Sequence, residues 1–132
     1  MLRSFAQAVQ REYLPYLFHN PAHSVDVMHG LARFLRMVAS ECSRSKLQQF
    51  ALLVAAVGHV LGHPGMNNAF LLEVTHELAL QSNDRSPLEN MHGAKLYCFV
   101  GRPDTNVFAN VSKVQYKEVR TDRHRCHSPH RL

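Results

Sequence analysis

Two histidines four positions apart are the first feature of this sequence that could do chemistry. His59 and His63 stand at the end of an apolar run. Side chains spaced by four lie on one face of a helix, so both imidazoles could point at a single metal ion. Pro64 and Gly65 follow at once, and this pair is typical of a helix that breaks and turns away. The spacing therefore predicts a metal-binding helix end.

Other histidines and a glutamate also lie near predicted helix ends. The three ends carry His19 and His23, His59 and His63, and Glu89 and His92. Neutral imidazole is the commonest ligand of transition metals in proteins. By spacing alone, a metal site at His23, His59 and His63 and a set of hydrogen-bonded structural histidines are equally open. Glu89 has an explanation of its own, as the acceptor arm of a capping box.

Composition describes an ordinary globular protein. The chain has 132 residues, 45% of them hydrophobic and 19% charged, which suits one packed domain and argues against disorder. The net charge is +5, but no basic run alternates with aromatic residues, so we expect no nucleic-acid partner. Three scattered cysteines without a CxxC pair are typical of a reducing compartment.

The sequence offers neither a membrane anchor nor a secretion signal that we can identify. Residues 1–10 contain no apolar core of the signal-peptide kind, and the longest apolar run is too short to cross a bilayer. We therefore expect a cytoplasmic protein with no membrane span.

The elements that must position these side chains are predicted to be helices. Helical periodicity covers residues 2–14, 21–40, 46–62 and 68–79. Asn20 and Pro21 form a strong helix start, and capping boxes at Ser86 and Ser112 open two more helices, the last running to Arg120. No segment alternates like a strand, so the predicted class is all-α, with about five to six helices.

The end of the chain differs in character. Residues 121–132 are rich in His, Arg, Ser and Pro and nearly devoid of apolar side chains. Such a segment cannot pack against a core, so we expect a disordered tail after a domain formed by residues 1–120.

Four blocks of sequence resemble one enzyme family. Residues 19–27, HNPAHSVDV, resemble the motif HNxxHxxDV of the class I cyclic nucleotide phosphodiesterases. Residues 59–68, HVLGHPGMNN, match the family signature HDxxHPGxxN at every fixed position but one. Residues 83–92 and parts of 106–120 resemble later blocks in the same order. The chain is thus similar to the N-terminal part of that family's catalytic domain, an all-α fold of the HD type.

The resemblance implies a reaction and a set of roles. The reaction is metal-dependent hydrolysis of cAMP, cGMP or both to the 5′-monophosphate in signal transduction, with zinc and magnesium or manganese as cofactors. Position by position, His23 and His59 match zinc ligands and His19 matches the general acid that protonates the departing O3′. The residues that match groups around the metal-bound waters are His63, Glu89 and His92.

Two departures from the family pattern keep an alternative open. Val60 stands where the family has an Asp that bridges both metals, and valine has no lone pair to offer. A second zinc-ligating Asp and the Gln and Phe that clamp the purine lie, in the family, beyond the length of this chain. The alternative is a truncated, non-catalytic paralogue that binds a metal weakly or pairs with a partner. A third interpretation is a helical interaction domain whose histidines are purely structural.

The same comparison of lengths suggests how the chain associates. Apolar faces that later helices cover in the family would be open here, so we expect marginal stability. We also expect a homodimer or pairing with a full-length phosphodiesterase.

Overall fold

Every regular element in the described part of the protein is a helix, as predicted. The computed structural model describes residues 1–41 and 44–126, with side chains as far as residue 120. The helices in these residues are α1 (Leu2–Arg11), α2 (Pro21–Met37), α3 (Lys46–Gly58), α4 (Asn68–Glu73), α5 (Glu77–Gln81), α6 (Pro87–Val100) and α7 (Lys113–Cys126). None of them is long and apolar enough to cross a membrane.

The apolar core forms around α3. This helix packs against α2, α6 and α7, and α1 packs against α6. The central cluster of buried side chains consists of Phe5, Val9, Ala51, Val54, Leu61, Leu96, Phe99, Val100, Phe108 and Val119. Burial of such a cluster is the main force that holds the helices together. Because α3 is central, its C-terminal end has a well-defined position in the fold.

Two helix starts that depend on local hydrogen bonds agree with the prediction. The Asn20 side chain accepts a hydrogen bond from the backbone N–H of His23 at 3.0 Å, directly before Pro21. Ser112 and Gln115 exchange the two hydrogen bonds of a capping box. An equivalent capping box between Ser45 and Gln48 opens α3 and was not predicted.

The end of α3 corrects the first prediction. The helix stops at Gly58 rather than at residue 62, and His59 is its C-cap. Gly62 has φ of +65°, a left-handed conformation that turns the chain before Pro64. His59 and His63 therefore do not share one helix face. The argument from i, i+4 spacing failed because it assumed that α3 continues past Gly58 to Gly62.

The predicted helix over residues 68–79 is two short helices. The break lies between α4 and α5, where Thr75 has φ of +52°. His76 caps α5, since its Nδ1 accepts the backbone N–H of Leu78 at 3.1 Å. This break brings the number of helices in the described residues to seven, above the predicted five to six.

The start of α6 is capped from outside, so the capping box predicted at Ser86 is wrong. Ser86 adopts φ of +45° and makes no side-chain cap. Asn68 takes its place: its Oδ1 accepts the Leu88 N–H at 3.0 Å, and its Nδ2 donates to Glu89 Oε2 at 2.9 Å. Glu89 is therefore bound to another helix and not to its own N-cap.

Three remaining helix ends differ from the prediction. Helix α1 ends at Arg11 rather than at residue 14, and α2 ends at Met37 rather than at residue 40. Helix α7 continues past Arg120 to Cys126, into the segment predicted to be a disordered tail. The rest of that predicted tail, residues 127–132, lies outside the described residues.

Candidate functional site

Five imidazole rings meet where α2 begins, α3 ends and α6 passes. The ring centroids of His19 and His63 are 3.7 Å apart and nearly parallel, at 14°. His63 in turn stacks on His92 at 5.5 Å. The ring centroids of His23 and His59 are 5.3 Å apart, with the rings tilted by 55°. The ring centroids of His19 and His23 are 6.2 Å apart. The structure thus brings together all of the histidines singled out at the predicted helix ends.

His59 is held by the end of its own helix. Its Nδ1 lies 2.6 Å from the carbonyl oxygen of Ala56. That carbonyl is one of the last four of α3, which have no partner within the helix. A carbonyl oxygen only accepts hydrogen bonds, so Nδ1 carries the proton and Nε2 keeps a lone pair. Hydrogen bonds of this kind fix the tautomer of metal-binding histidines.

His23 owes its position to the first turn of α2. The Asn20 cap and Pro21 begin the helix three and two residues before it, so the imidazole projects from the helix N-terminus. Phe18 contacts the same ring, with centroids 4.6 Å apart. The first turn of α2 and Phe18 together fix where the His23 ring lies.

His92 is the most buried of the five histidines, with 5% of its surface exposed. Its Nδ1 lies 2.8 Å from the carbonyl oxygen of Leu61. Its pKa is lowered from 6.5 to about 4, mainly by burial and to a smaller extent by the nearby His63 and His59, against the opposing effects of the Leu61 carbonyl and Glu89. His92 is therefore a neutral hydrogen-bond donor at physiological pH.

His63 and His19 have lowered pKa values as well. For His63 the main cause is burial, then the neighbouring His19, while Glu89 acts in the opposite direction. For His19 burial again comes first and the proximity of His23 second. The backbone N–H of Gly65 donates to His63 Nδ1 at 3.0 Å, which leaves Nε2 as the protonated nitrogen of the neutral ring.

The cavity beside these rings has a volume of about 500 Å³. His59, Glu89 and His92 line one part of its wall. Arg85 and Arg120 also line the cavity, and the Arg120 guanidinium stacks on the ring of Tyr97 at 4.9 Å. Two arginines, one carboxylate and neutral hydrogen-bonding groups thus border a single open space, in which the arginines could bind an anionic group.

Val60 is buried next to His59 and supplies no polar atom. It is 5% exposed and is not one of the buried residues of the central apolar cluster. In the described part of the chain, no group of three or more His, Cys, Asp or Glu side chains is arranged to hold a metal ion. A zinc site uses three or four protein ligands, whereas His23 and His59 supply two nitrogens. These donors suit zinc in kind but do not complete a site.

Comparison with known proteins identifies the family. Residues 18–126 match the sequence model of the 3′5′-cyclic nucleotide phosphodiesterases. The chain belongs to this family. The match extends six residues past Arg120, the predicted end of the resemblance, and it ends with α7.

Relatives and solved structures agree with this assignment. The chain is 35% identical over 123 residues to the human high affinity cAMP-specific and IBMX-insensitive 3′,5′-cyclic phosphodiesterase 8A. It is 33% identical over 119 residues to the mouse high affinity cGMP-specific 3′,5′-cyclic phosphodiesterase 9A. The phosphodiesterase domain of the RhoPDE fusion protein from the choanoflagellate Salpingoeca rosetta superposes with a TM-score of 0.90 at 35% identity.

The chain of this phosphodiesterase family member spans only part of these proteins. It covers 15% of the human and 22% of the mouse relative. It covers 39% of the solved choanoflagellate domain, although 95% of the chain itself is matched. Both relatives are cyclic nucleotide phosphodiesterases by name.

Two residues that organise the site were not predicted from sequence. Asn68 bridges α4 and α6, and Tyr13 hydrogen-bonds to both α2 and α3. Asn68 carried a signal, because it is the last fixed position of the matched signature. For Tyr13 the sequence indicated only an apolar position of the predicted helix over residues 2–14, and nothing in it pointed to the two hydrogen bonds.

Proposed function

We propose that this phosphodiesterase family member contributes to the metal-dependent hydrolysis of 3′,5′-cyclic nucleotides, cAMP or cGMP, to 5′-monophosphates in signal transduction. The observation that carries the proposal is the pair of facing imidazoles, His23 and His59, with His19 beside them. Membership of the family supports the substrate class. The cyclic phosphate is an anion, which agrees with the arginines that line the neighbouring cavity.

His19 is the proposed general acid. Its pKa is lowered by burial and by His23, so its protonated form gives up a proton to the departing O3′ more readily, while a smaller fraction of it is protonated at neutral pH. The parallel stacking with His63 limits how the His19 ring can turn. The proton is therefore presented from a defined direction.

His23 and His59 are the proposed nitrogen ligands of a divalent cation, with zinc favoured by the imidazole donors and magnesium or manganese as a second ion. When bound, such ions activate a water and neutralise phosphate charge. His63 and Glu89 lie close to His92, and these three residues are proposed to hold metal-bound waters by hydrogen bonds. The chain supplies these donors and positions them, and further ligands are needed to complete the site.

The experiment compares the wild-type chain with Val60→Asp. Zinc content is measured after dialysis, and hydrolysis of cAMP and cGMP is followed with Zn²⁺ plus Mg²⁺ or Mn²⁺. If residue 60 is the missing ligand, Val60→Asp gains stoichiometric zinc and any turnover rises with it. In that background His19→Asn should lower turnover by roughly 10²- to 10⁴-fold without lowering zinc content. His29→Asn, on the exposed side of α2, is the matched control.

The proposal fails for this chain if both proteins are helical by circular dichroism yet bind no zinc and hydrolyse neither nucleotide. Loss of activity in His29→Asn as large as in His19→Asn would remove the assignment of the general acid.

A second candidate function is that of a non-catalytic paralogue. The buried, apolar Val60 at the bridging position favours it, because valine can neither bind a cation nor polarise a water. Such a protein would bind a metal weakly or pair with a full-length phosphodiesterase. Wild-type chain that lacks activity, yet co-elutes with a full-length family member and changes its turnover, would favour this function over the first.

A further inference from the structure

Tyr13 connects the two helices that carry the facing histidines. It follows α1, and its ring packs against the central apolar cluster. Its hydroxyl oxygen lies 2.6 Å from Ser24 Oγ in α2 and also hydrogen-bonds to the carbonyl oxygen of Val57 in α3. One side chain thus bridges two elements that are far apart in sequence.

The direction of these hydrogen bonds follows from what each group can do. A phenol has one proton, and the Val57 carbonyl can only accept, so the Tyr13 proton points to Val57. Ser24 then donates its own hydroxyl proton to the phenol oxygen. The result is a chain of hydrogen bonds from Ser24 through Tyr13 to Val57, in which each group has a defined role.

Both ends of this chain lie next to the candidate site. Ser24 directly follows His23, and its side chain is 2% exposed, so it has little access to water. Val57 precedes His59 by two residues, and its carbonyl is one of the last four of α3, which lack helical partners. Tyr13 therefore satisfies polar groups at the two points where α2 and α3 present their histidines.

We propose that Tyr13 is a positioning residue that sets the separation and orientation of the His23 and His59 imidazoles by joining the first turn of α2 to the last turn of α3. It touches neither imidazole through its hydroxyl and acts through the two backbones. The consequence for metal binding rests on the proposed function, whereas the consequence for ring geometry does not.

The hydroxyl is suited to a permanent contact. Burial raises the pKa of Tyr13, an effect that the hydrogen bond from Ser24 partly opposes. The proton that Val57 accepts therefore stays in place throughout the physiological range. The loss of this one oxygen should leave the packed ring where it is and release only the two polar contacts.

Tyr13→Phe is the direct test, and Tyr16→Phe is its matched control. Tyr16 lies in the same segment and donates to a backbone carbonyl, that of Pro64, at 3.0 Å, but it does not join α2 to α3. Both variants lose one phenol oxygen. Ring nitrogen and proton signals of ¹⁵N-labelled histidines are assigned by single His→Asn substitutions and compared among the three proteins.

We expect Tyr13→Phe to shift the ring signals of both His23 and His59 and to leave those of His76, the cap of α5, unchanged. Tyr16→Phe should leave His23 and His59 unchanged. Ser24→Ala removes only the contact between Tyr13 and α2, and we expect this variant to keep the wild-type fold. It should shift the ring signals of His23 more than those of His59. Unchanged His23 and His59 signals in folded Tyr13→Phe, or equal shifts in Tyr16→Phe, would overturn the proposal.

Zinc affinity supplies a second readout. If the wild-type or Val60→Asp chain binds Zn²⁺, Tyr13→Phe should weaken binding by roughly 10- to 100-fold, as expected when a supporting contact is removed. The double variant Tyr13→Phe/Ser24→Ala should be no weaker than the single Tyr13→Phe, because both act through one hydrogen-bond chain. Additive losses would contradict a shared role. If no protein binds zinc, the proposed function fails while the histidine spectra still decide the role of Tyr13.

Discussion

Among single residues, His92 should give this protein a distinct dependence on pH. The unfolded chain takes up a proton at this position below about pH 6.5, whereas the folded protein resists it down to about pH 4. The folded state therefore binds fewer protons in this window, so the free energy of unfolding rises with pH across it. The contribution of His92 to the free energy of unfolding is fully present above pH 6.5 and is lost as the pH falls to 4. The total change amounts to about 3 kcal/mol.

Chemical denaturation between pH 4 and pH 7 measures this contribution. His92→Asn keeps a group that can donate to the Leu61 carbonyl but cannot titrate, so its slope of stability against pH should be smaller than in the wild type. His29→Asn, at an exposed position, should keep the wild-type slope. Equal slopes in all three proteins would show that His92 is not the group responsible.

Val60 is the second residue at which a single substitution should change the stability of the protein. Without a cation, Val60→Asp places a carboxylate in a site that is 5% exposed, and we expect a loss of roughly 1–3 kcal/mol in the free energy of unfolding. A bound dication would offset the loss. Zinc should therefore raise the melting temperature of Val60→Asp but not of Val60→Asn, which has the same shape without the charge. An equal effect of zinc on both variants would place its binding elsewhere.

Between elements, α3 and α6 approach each other closely at Gly58. A Cβ added there would lie 2.8 Å from Leu96 Cδ2, and Leu96 is itself 3% exposed and held by the core. Gly58→Ala should therefore destabilise the protein by about 1 kcal/mol, because overpacking outweighs the gain in helix propensity.

Two other helical glycines supply the controls. A Cβ at Gly30 in α2 or at Gly93 in α6 would meet nothing within 4 Å. Gly30→Ala and Gly93→Ala should each stabilise the protein by about 0.5–1 kcal/mol. Thermal denaturation of the three variants tests the opposite signs, and a stabilising Gly58→Ala would contradict the close packing of α3 on α6.

The joint between α4 and α6 depends on Asn68. Asn68→Ala leaves the Leu88 N–H, at a residue that is 6% exposed, without its acceptor and frees Glu89, at a cost of about 1–3 kcal/mol. Amide hydrogen exchange should accelerate at Leu88. Asn67→Ala removes the cap of α4 instead and should accelerate exchange at Phe70 while leaving Leu88 protected.

For the whole molecule, exposed apolar side chains indicate a surface that another protein segment could cover. Leu17 is fully exposed, Met37 is 77% exposed and Phe34 57%, the last two on a helix that packs mainly against α3. The chain covers 39% of a solved family domain. Apolar surface of this kind favours association in water.

We therefore expect the purified chain to self-associate as its concentration rises. Light scattering coupled to size-exclusion chromatography should show a mass above that of one chain, and Phe34→Asp with Met37→Lys should lower it. His29→Lys adds a charge to α2 without removing apolar surface and should have no such effect. A constant monomeric mass in the wild type would rule out this surface as an association site.

Much of the fold and part of the site could be predicted from local sequence. The helical class, the start of α2 at Asn20 and the capping box at Ser112 depend on hydrogen bonds between residues three apart, which a short window of sequence contains. The candidate site residues were likewise found as short motifs. These features need no knowledge of distant parts of the chain.

Which of the candidate site residues lie next to each other was decided by the packing of the helices. His59 faces His23 and not His63, because α3 ends at Gly58 and the turn at Gly62 carries His63 to His19 and His92. The cap of α6 comes from twenty residues away. Contacts between distant segments are set by how helices bury their apolar faces against one another. The apolar periodicity of a helix shows which face is buried but not which other helix covers it.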